Sequence, residues 1–240
     1  MEHKYVNEAV STVAILTQRY VLEMNQGHDM EEIKRHDCAS DKVRTEIFEA
    51  GQEQIQILRT GLPTEPIIRG NNLILRPMTL EDTPIFLRMR NDLAVSKWFI
   101  YRKEITATEH VRWMATHLVQ GGDSRQFMIY APSDNGFSYK IIGCTNLKEI
   151  DFVNKRAEYG LFLADPQVRG KGYGSETVSL MARYAFDCLG LNSIFSRVFT
   201  DNIPSVKHLE REGFVIQSKE TAVACTDQTA ADMYMMELFK

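Results

Sequence analysis

The hydrophobic and polar positions follow different periods in two parts of the chain. Between Glu2 and Gln26 the apolar residues recur every three or four positions, which predicts an amphipathic helix: Val6, Val10, Val13, Leu16, Tyr20 and Met24. A second, more polar helix is predicted between Met30 and Leu58. The glycine and prolines of "TGLPTEP" then indicate a linker. We therefore predict a helical N-terminal extension over residues 1–62 and a separate domain over residues 63–240.

Beyond the linker, runs typical of strands and of helices follow one another. Strands are predicted for "NLILRPM", "RQFMIYAP", "YKIIGCTNLKEI", "AEYGLFLA", "SIFSRVFT", "GFVIQSKE" and "ADMYMMELFK". Helices are predicted for "LEDTPIFLRMRND", "TATEHVRWMATHLV", "SETVSLMARYAFDCLG" and "PSVKHLEREG", and a tight hairpin turn for "SDNGFS". The order β-α-α-β-β-β-α-β-α-β-β predicts an α/β fold with a mixed sheet.

Composition narrows the class of protein. The 240 residues carry a formal net charge of -4, so the basic excess of a nucleic-acid-binding protein is missing. The four cysteines are widely spaced without a CxxC pair, which argues against a disulfide framework or a metal site. The sequence shows no secretory signal and no apolar run of the roughly 20 residues that a membrane helix needs. These features predict a cytoplasmic protein without a membrane or nucleic-acid partner.

The run "ADPQVRGKGYGSE" lies between a predicted strand and a predicted helix. A helix start exposes unpaired N–H groups, and glycines let a bound group approach the backbone closely. With Arg169 and Lys171 beside the glycines, the run predicts a phosphate or pyrophosphate site. Its spacing fits neither the dinucleotide fingerprint GxGxxG nor the GK[ST] ending of a P-loop. The alternative is a surface turn without a ligand.

The segment from Gln167 to Gly172 reads "QVRGKG" and resembles the Q/R-x-x-G-x-G/A turn of the GNAT acetyltransferase superfamily. The preceding strand "AEYGLFL", the following helix and the downstream "DNIPSVKHLEREGF" stand in the order typical of that family. The resemblance extends from about Asn72 to Lys240 and is closest to the RimJ/RimL-like branch. It implies a GNAT-like α/β fold, with a mixed, mostly antiparallel, twisted sheet flanked by helices. It also implies acetyl-CoA as co-substrate and no metal.

The resemblance assigns the binding of acetyl-CoA to three places in the sequence. The end of the strand is expected to splay from its neighbour and hold the pantetheine arm. The turn is expected to bind the pyrophosphate through backbone amides, and Asn202 is expected to bond the arm. The residues implied are Phe162, Leu163, Ala164, Gln167, Val168, Arg169, Gly170, Lys171, Gly172, Tyr173, Gly174, Ser175 and Asn202.

For catalysis, the resemblance points to Glu158 and Ser205. Glu158 is the candidate base, acting directly or through water, and its alternative is an ion pair with Lys155 or Arg156. Many family members carry a tyrosine acid at the position of Leu209. Ser205 is the candidate replacement, and its alternative is a residue that satisfies an amide at the helix start.

Trp98, Phe99 and Tyr101 form an aromatic cluster where related enzymes build the wall of the acceptor site, although such clusters also occur in simple cores.

The sequence thus predicts an N-acetyltransferase acting on a primary amine by direct attack in a ternary complex. The acceptor is an amino sugar, a polyamine, an antibiotic or a protein N-terminus, with a preference for a small molecule. The alternative is a non-catalytic acyl-CoA-binding module. The apolar stripe of the N-terminal helices is expected to pack on the catalytic domain or on a second copy in a homodimer.

Overall fold

Eight strands form one sheet in the computed structural model, which describes residues 65–118, 122–133 and 138–240. Their spatial order is β1-β2-β3-β4-β5-β6-β8-β7. All neighbouring strands are antiparallel except β5 and β6, which are parallel. The strands are β1 Ile68–Arg69, β2 Ile74–Pro77, β3 Arg125–Pro132, β4 Tyr139–Asp151, β5 Arg156–Leu163, β6 Ser193–Phe199, β7 Val215–Ala224 and β8 Ala230–Phe239.

The helices of the described residues connect these strands. They are α1 Thr83–Arg90, α2 Leu93–Ser96, α3 Ala107–His117, α4 Tyr173–Arg183 and α5 Ile203–Arg211. Short 3-10 turns cover Leu80–Asp82 and Pro166–Val168, and a π-helical turn, Tyr184–Cys188, continues α4. No helix among the described residues is long and apolar enough to cross a membrane.

The chain divides into two compact units, and the smaller one contains Thr79–Arg88 and Ile105–Gln120. Its helix α3 begins with a capping box, because Thr106 accepts the amide of Glu109 while the Glu109 carboxylate accepts the amide of Thr106. His110 is fully buried in this unit, stacked on Phe86 at 4.4 Å between ring centroids.

The larger unit contains the sheet and the helices α4 and α5. Residues of β5 alternate, so that Ala157 and Tyr159 face the core while Glu158 faces the opposite side. The core joins these strand residues to the apolar faces of α4 and α5, including Val178, Leu180, Met181, Val206 and Leu209. The two helices therefore cover one face of the sheet around the β5–β6 pair.

The predicted fold class and the predicted order of strands and helices are confirmed. The sequence did not reveal β1 or α2, because two and four residues are too few for a periodic pattern. The π-helical turn also breaks the single long helix expected up to Gly190. The N-terminal helices, most of the linker and the turn at Asn135 and Gly136 lie outside the described residues.

Candidate active site

The two parallel strands at the centre of the sheet separate halfway along their length. β5 and β6 are paired only at Arg156–Ser193, Ala157–Ile194 and Glu158–Phe195. β5 then continues to Leu163 and β6 to Phe199 without further pairing between them. The expected splay is therefore present, and it leaves a gap in which backbone groups of β5 lack a strand partner.

Glu158 occupies the last paired position before this gap, and its side chain is buried (6% exposed). Lys148 Nζ lies 3.2 Å from Oε1, and Arg197 Nη2 donates to Oε2 at 2.5 Å. The hydrogen bond to Glu158 raises the pKa of Arg197. Both carboxylate oxygens are thus engaged by cations from the neighbouring strands β4 and β6. The ion-pair alternative named Lys155 or Arg156, whereas the partners in the structure are Lys148 and Arg197.

The end of β5 offers its backbone to the gap selectively. The Ala164 amide donates to the Ile142 carbonyl of β4 at 2.9 Å, so this amide points away from β6. Backbone groups alternate in direction along a strand, so the N–H and C=O of Leu163 face the gap. Among Phe162, Leu163 and Ala164, Leu163 is therefore the residue whose backbone is placed to pair with a bound pantetheine arm.

The turn after β5 uses part of its backbone internally. Asp165 caps the 3-10 turn by accepting the Gln167 amide at 2.8 Å, and Lys140 lies 3.2 Å from the same carboxylate. The amide of Val168 donates to the Asp165 carbonyl and that of Arg169 to the Pro166 carbonyl. All three amides are used within the turn. Of the amides from Arg169 to Gly174 that the resemblance assigns to the pyrophosphate, that of Arg169 is therefore already engaged, and the Val168 side chain is buried in the core.

The next residues leave an anion site open. Gly170 and Gly172 adopt positive φ angles of 76° and 81°, and a Cβ built on either would meet no atom within 4 Å. Gly172 is the N-cap of α4 and, having no side chain, makes no side-chain cap hydrogen bond. The first-turn amides, including those of Tyr173 and Gly174, are therefore left without an N-cap acceptor at the positive end of the helix dipole. Together with Lys171, this turn fits the pyrophosphate of a coenzyme A thioester.

The side chains behind the helix start hold α4 against α5. The Ser175 hydroxyl donates to Glu212 at 2.5 Å, and this carboxylate lies 3.6 Å from His208 Nδ1. A Cβ on Gly174 would lie 3.3 Å from His208 Nε2, so a larger residue at this position would require the His208 ring to shift by a few tenths of an ångström. The Ser175 hydroxyl is thus directed to α5 rather than left available for a phosphate. Burial lowers the pKa of His208.

The start of α5 brings Asn202 and Ser205 together. Asn202 is buried, and its side-chain oxygen accepts the Ser205 amide at 3.4 Å. The cap is therefore Asn202, whereas our alternative reading gave a capping role to Ser205. The Ser205 hydroxyl makes no hydrogen bond to another described residue. Leu209, at the position of the family's tyrosine, packs in the core.

The predicted acceptor wall lies in the irregular segment between α2 and α3. Trp98 and Tyr101 are exposed (36% and 39%), and Phe99 packs edge-on against Phe162 of β5 with 6.0 Å between ring centroids. The structure thus places Phe99 beside the splayed strand. The exposure of Trp98 and Tyr101 argues against a simple core cluster.

Arg90 and Arg102 hold this segment. Three consecutive carbonyls accept hydrogen bonds: Phe99 from Arg102 Nε at 3.2 Å, Ile100 from the Thr226 amide at 3.0 Å, and Tyr101 from Arg90 Nη2 at 2.7 Å. Arg102 also pairs with Asp227 at 3.0 Å. Lys148 and Arg197, the partners of Glu158, were missed, because cross-strand register cannot be read from local sequence.

The sheet is mixed and separates between two parallel strands. Next to this gap, an uncapped helix start follows a glycine turn. These two features define the GNAT class of acetyltransferases. The chain belongs to this family, since the model of the acetyltransferase (GNAT) domain matches residues 72–215, more than half of its length. The protein is therefore an N-acetyltransferase of amines with acetyl-CoA as its co-substrate.

Individual relatives agree with the family. An uncharacterized N-acetyltransferase, p20, of Bacillus licheniformis is 29% identical over 170 residues, covering 70% of this chain and 93% of the relative. Acetyltransferase PseH of Campylobacter jejuni is 28% identical over 154 residues, covering 62% of this chain and 88% of the relative. A solved structure of spermidine N-acetyltransferase from Vibrio cholerae with CoA and spermine has a TM-score of 0.63 at 20% identity, covering 71% of this chain and 96% of that one.

Proposed function

We propose that this protein acetylates a small-molecule primary amine by direct attack on acetyl-CoA in a ternary complex. The observation that carries the proposal is the gap between β5 and β6, which opens at Glu158 and ends at the uncapped start of α4. The gap offers the co-substrate the unpaired backbone edge of β5, followed by the anion site at the start of α4. The acceptor wall at Phe99 stands beside the same strand.

In the reaction the amine nitrogen forms a bond to the thioester carbon, the carbon–sulfur bond breaks, and the amine loses a proton while the thiolate gains one. Acetyl-CoA supplies the acetyl group as an activated thioester. We assign Ser205 to protonate the departing sulfur, because its hydroxyl is not engaged by another described residue at the start of α5. Leu209 offers no proton in place of the family's tyrosine.

Glu158 is assigned as the group that accepts the amine proton through water. Its two oxygens contact Lys148 and Arg197, so direct contact with the amine would displace a cation. A water at the gap can pass the proton without breaking either ion pair.

Asn202 is assigned to the pantetheine arm through its side-chain amide nitrogen, since its oxygen already caps α5. We place the protein in the RimJ/RimL-like branch, with residues 63–240 as the acetyltransferase domain and residues 1–62 as an extension. The dodecameric spermidine N-acetyltransferase of Vibrio cholerae supports the further proposal that this chain also forms an oligomer, a homodimer being the simplest form.

The test is release of free thiol from acetyl-CoA across a panel of amines, measured with wild-type protein and with Ser205→Ala. We expect turnover of at least one amine and a loss of roughly 100-fold in kcat in the variant, with little change in KM for acetyl-CoA. Tight binding of acetyl-CoA without turnover of any amine would contradict the proposal and support the acyl-CoA-binding module.

Asn202→Asp separates the two contacts of that side chain. The aspartate keeps an oxygen to accept the Ser205 amide, so the stability of α5 is expected to hold. It loses the donor to the pantetheine arm, so we expect weaker binding of acetyl-CoA by about tenfold. Unchanged affinity would remove Asn202 from the binding site.

A further inference from the structure

Arg90 is a buried cation with no carboxylate partner among the described residues. Its side chain is 5% exposed, its guanidinium lies 3.6 Å above the Phe99 ring, and its Nη2 donates to the Tyr101 carbonyl. Its Nη1 is buried and makes no hydrogen bond to any described residue. Burial lowers the pKa of Arg90 to about 10, so the group still carries its charge at neutral pH. A buried charge with an unused donor is costly unless a binding partner uses it.

Arg90 lies next to the proposed acceptor site. Phe99, on which Arg90 stacks, contacts Phe162 of the splayed strand with 6.0 Å between ring centroids. Only one aromatic ring therefore separates the guanidinium from the strand that lines the gap. The exposed rings of Trp98 and Tyr101 belong to the same segment.

Several carboxylates of the larger unit are already matched by basic residues. Glu158 pairs with Lys148 and Arg197, Glu237 lies 3.6 Å from Arg156, and Asp227 pairs with Arg102. These carboxylates are neutralised by the protein itself, so they are poorly placed to attract a polyamine. Among these charged residues, Arg90 is the one whose charge no protein carboxylate balances.

We propose that Arg90 binds an anionic group of the acceptor, a carboxylate or a phosphate, through Nη1, so that the substrate is an amine that also carries negative charge. Guanidinium N–H groups form strong, directional hydrogen bonds to both kinds of anion. Because Nη1 is buried in this structure, the atoms that cover it have to move when the acceptor binds. The inference rests on the proposed acetylation of a small amine and specifies its class.

The experiment compares matched acceptors that differ only in charge. Glucosamine 6-phosphate is paired with glucosamine, and glycylglycine with its C-terminal amide, so that the two pairs distinguish phosphate from carboxylate. Spermidine represents the polyamines. We expect wild-type protein to prefer the anionic member of one pair in kcat/KM by roughly 10- to 100-fold, the effect of one hydrogen bond between charged groups.

Arg90→Met is expected to abolish this preference by raising KM for the anionic amine while the neutral member changes little. Arg90→Lys keeps the charge and is expected to restore part of the preference. Arg102→Met is the matched control, because Arg102 holds the adjacent carbonyl of Phe99 but is balanced by Asp227. It is expected to affect both members of a pair alike.

Several outcomes would overturn the inference. Wild-type protein without a preference in either pair, a preference for spermidine, or an equal loss for both members in Arg90→Met would each do so, the last showing a structural role alone. Absence of turnover with every amine would instead contradict the proposed function. In that case calorimetric binding of the same pairs in the presence of CoA decides, since a charge preference that Arg90→Met removes supports the inference and its absence refutes it.

Discussion

The Ser175 hydroxyl donates a hydrogen bond to the Glu212 carboxylate at 2.5 Å, joining the first turn of α4 to the end of α5. His208 and Arg211 lie 3.6 Å and 3.3 Å from the same carboxylate oxygen. The helix that presents the anion site is thereby fixed to the helix that carries Asn202 and Ser205. Ser175 thus has a structural partner, although the family resemblance suggested a role in binding the co-substrate.

Ser175→Ala is therefore expected to reduce the free energy of unfolding by about 1–2 kcal/mol, because the half-buried Glu212 loses a donor. Affinity for CoA is expected to change little. Urea denaturation and calorimetry measure the two quantities. The control Ser179→Ala, at an exposed position of the same helix, should leave both unchanged. A large loss of CoA affinity with unchanged stability would show instead that the hydroxyl contacts the ligand.

Gly172→Ala tests the backbone of the anion site. Alanine at a φ of 81° introduces strain, so we expect a loss of about 1 kcal/mol in stability and a methyl group pointing toward the bound pyrophosphate. Gly190 has a φ of 68° and also has open space around its Cβ position, but it lies outside the glycine turn. Gly190→Ala should lower the stability by a similar amount without weakening the binding of CoA. Equal CoA affinity of the two variants would contradict the proposed pyrophosphate site.

The sequence predicted the parts of the site that depend on local pattern. The strand, glycine turn and helix of "AEYGLFLADPQVRGKGYGSE" are contiguous, so periodicity and spacing placed them correctly in the fold. The residues around Glu158 come from two neighbouring strands, with Lys148 on β4, the preceding strand in sequence, and Arg197 on β6, 39 residues beyond Glu158 along the chain. Their contact depends on register, which no local pattern specifies.

The same reasoning explains why the sequence did not predict the burial of Arg90. In the sequence it is one of several arginines at the end of an amphipathic helix, where a basic residue is ordinarily solvated. Its burial follows from the return of the chain over Phe99 and Tyr101, an irregular segment without periodicity. Its missing carboxylate partner becomes visible only in the structure.

Arg197→Met is expected to lower the free energy of unfolding by about 2 kcal/mol, the scale of a hydrogen bond to a charged group, because Glu158 then retains only Lys148. Arg102→Met removes a pair whose carboxylate is more exposed, so the loss of this ion pair should cost less than the loss of the Arg197 pair. Urea denaturation measures both.

The double variant Arg197→Met with Glu158→Gln should recover part of the loss, since no buried charge is left unbalanced. Strict additivity of the two single changes would show that Glu158 and Arg197 are not energetically coupled.

His110 makes stability depend on pH. Burial lowers its pKa from 6.5 to about 3, and the ring is held between Phe86 and Trp113 with Nδ1 3.2 Å from the Thr83 hydroxyl. As the pH falls below 6.5, the unfolded chain takes up a proton on this histidine while the folded chain does not. The contribution of His110 is therefore fully present above pH 6.5 and is lost progressively as the pH falls toward 3.

Between about pH 7 and pH 5, we expect protonation of His110 in the unfolded chain to lower the free energy of unfolding by about 2 kcal/mol. One unit of pKa difference corresponds to about 1.36 kcal/mol. His110→Phe should reduce the pH-dependent loss by about 2 kcal/mol, because phenylalanine stacks in the same place and does not titrate. His117→Gln, two turns further along the same helix and half-buried, is the control and should keep the wild-type dependence. Parallel pH profiles of wild-type protein and His110→Phe in urea denaturation would show that His110 is protonated equally in both states.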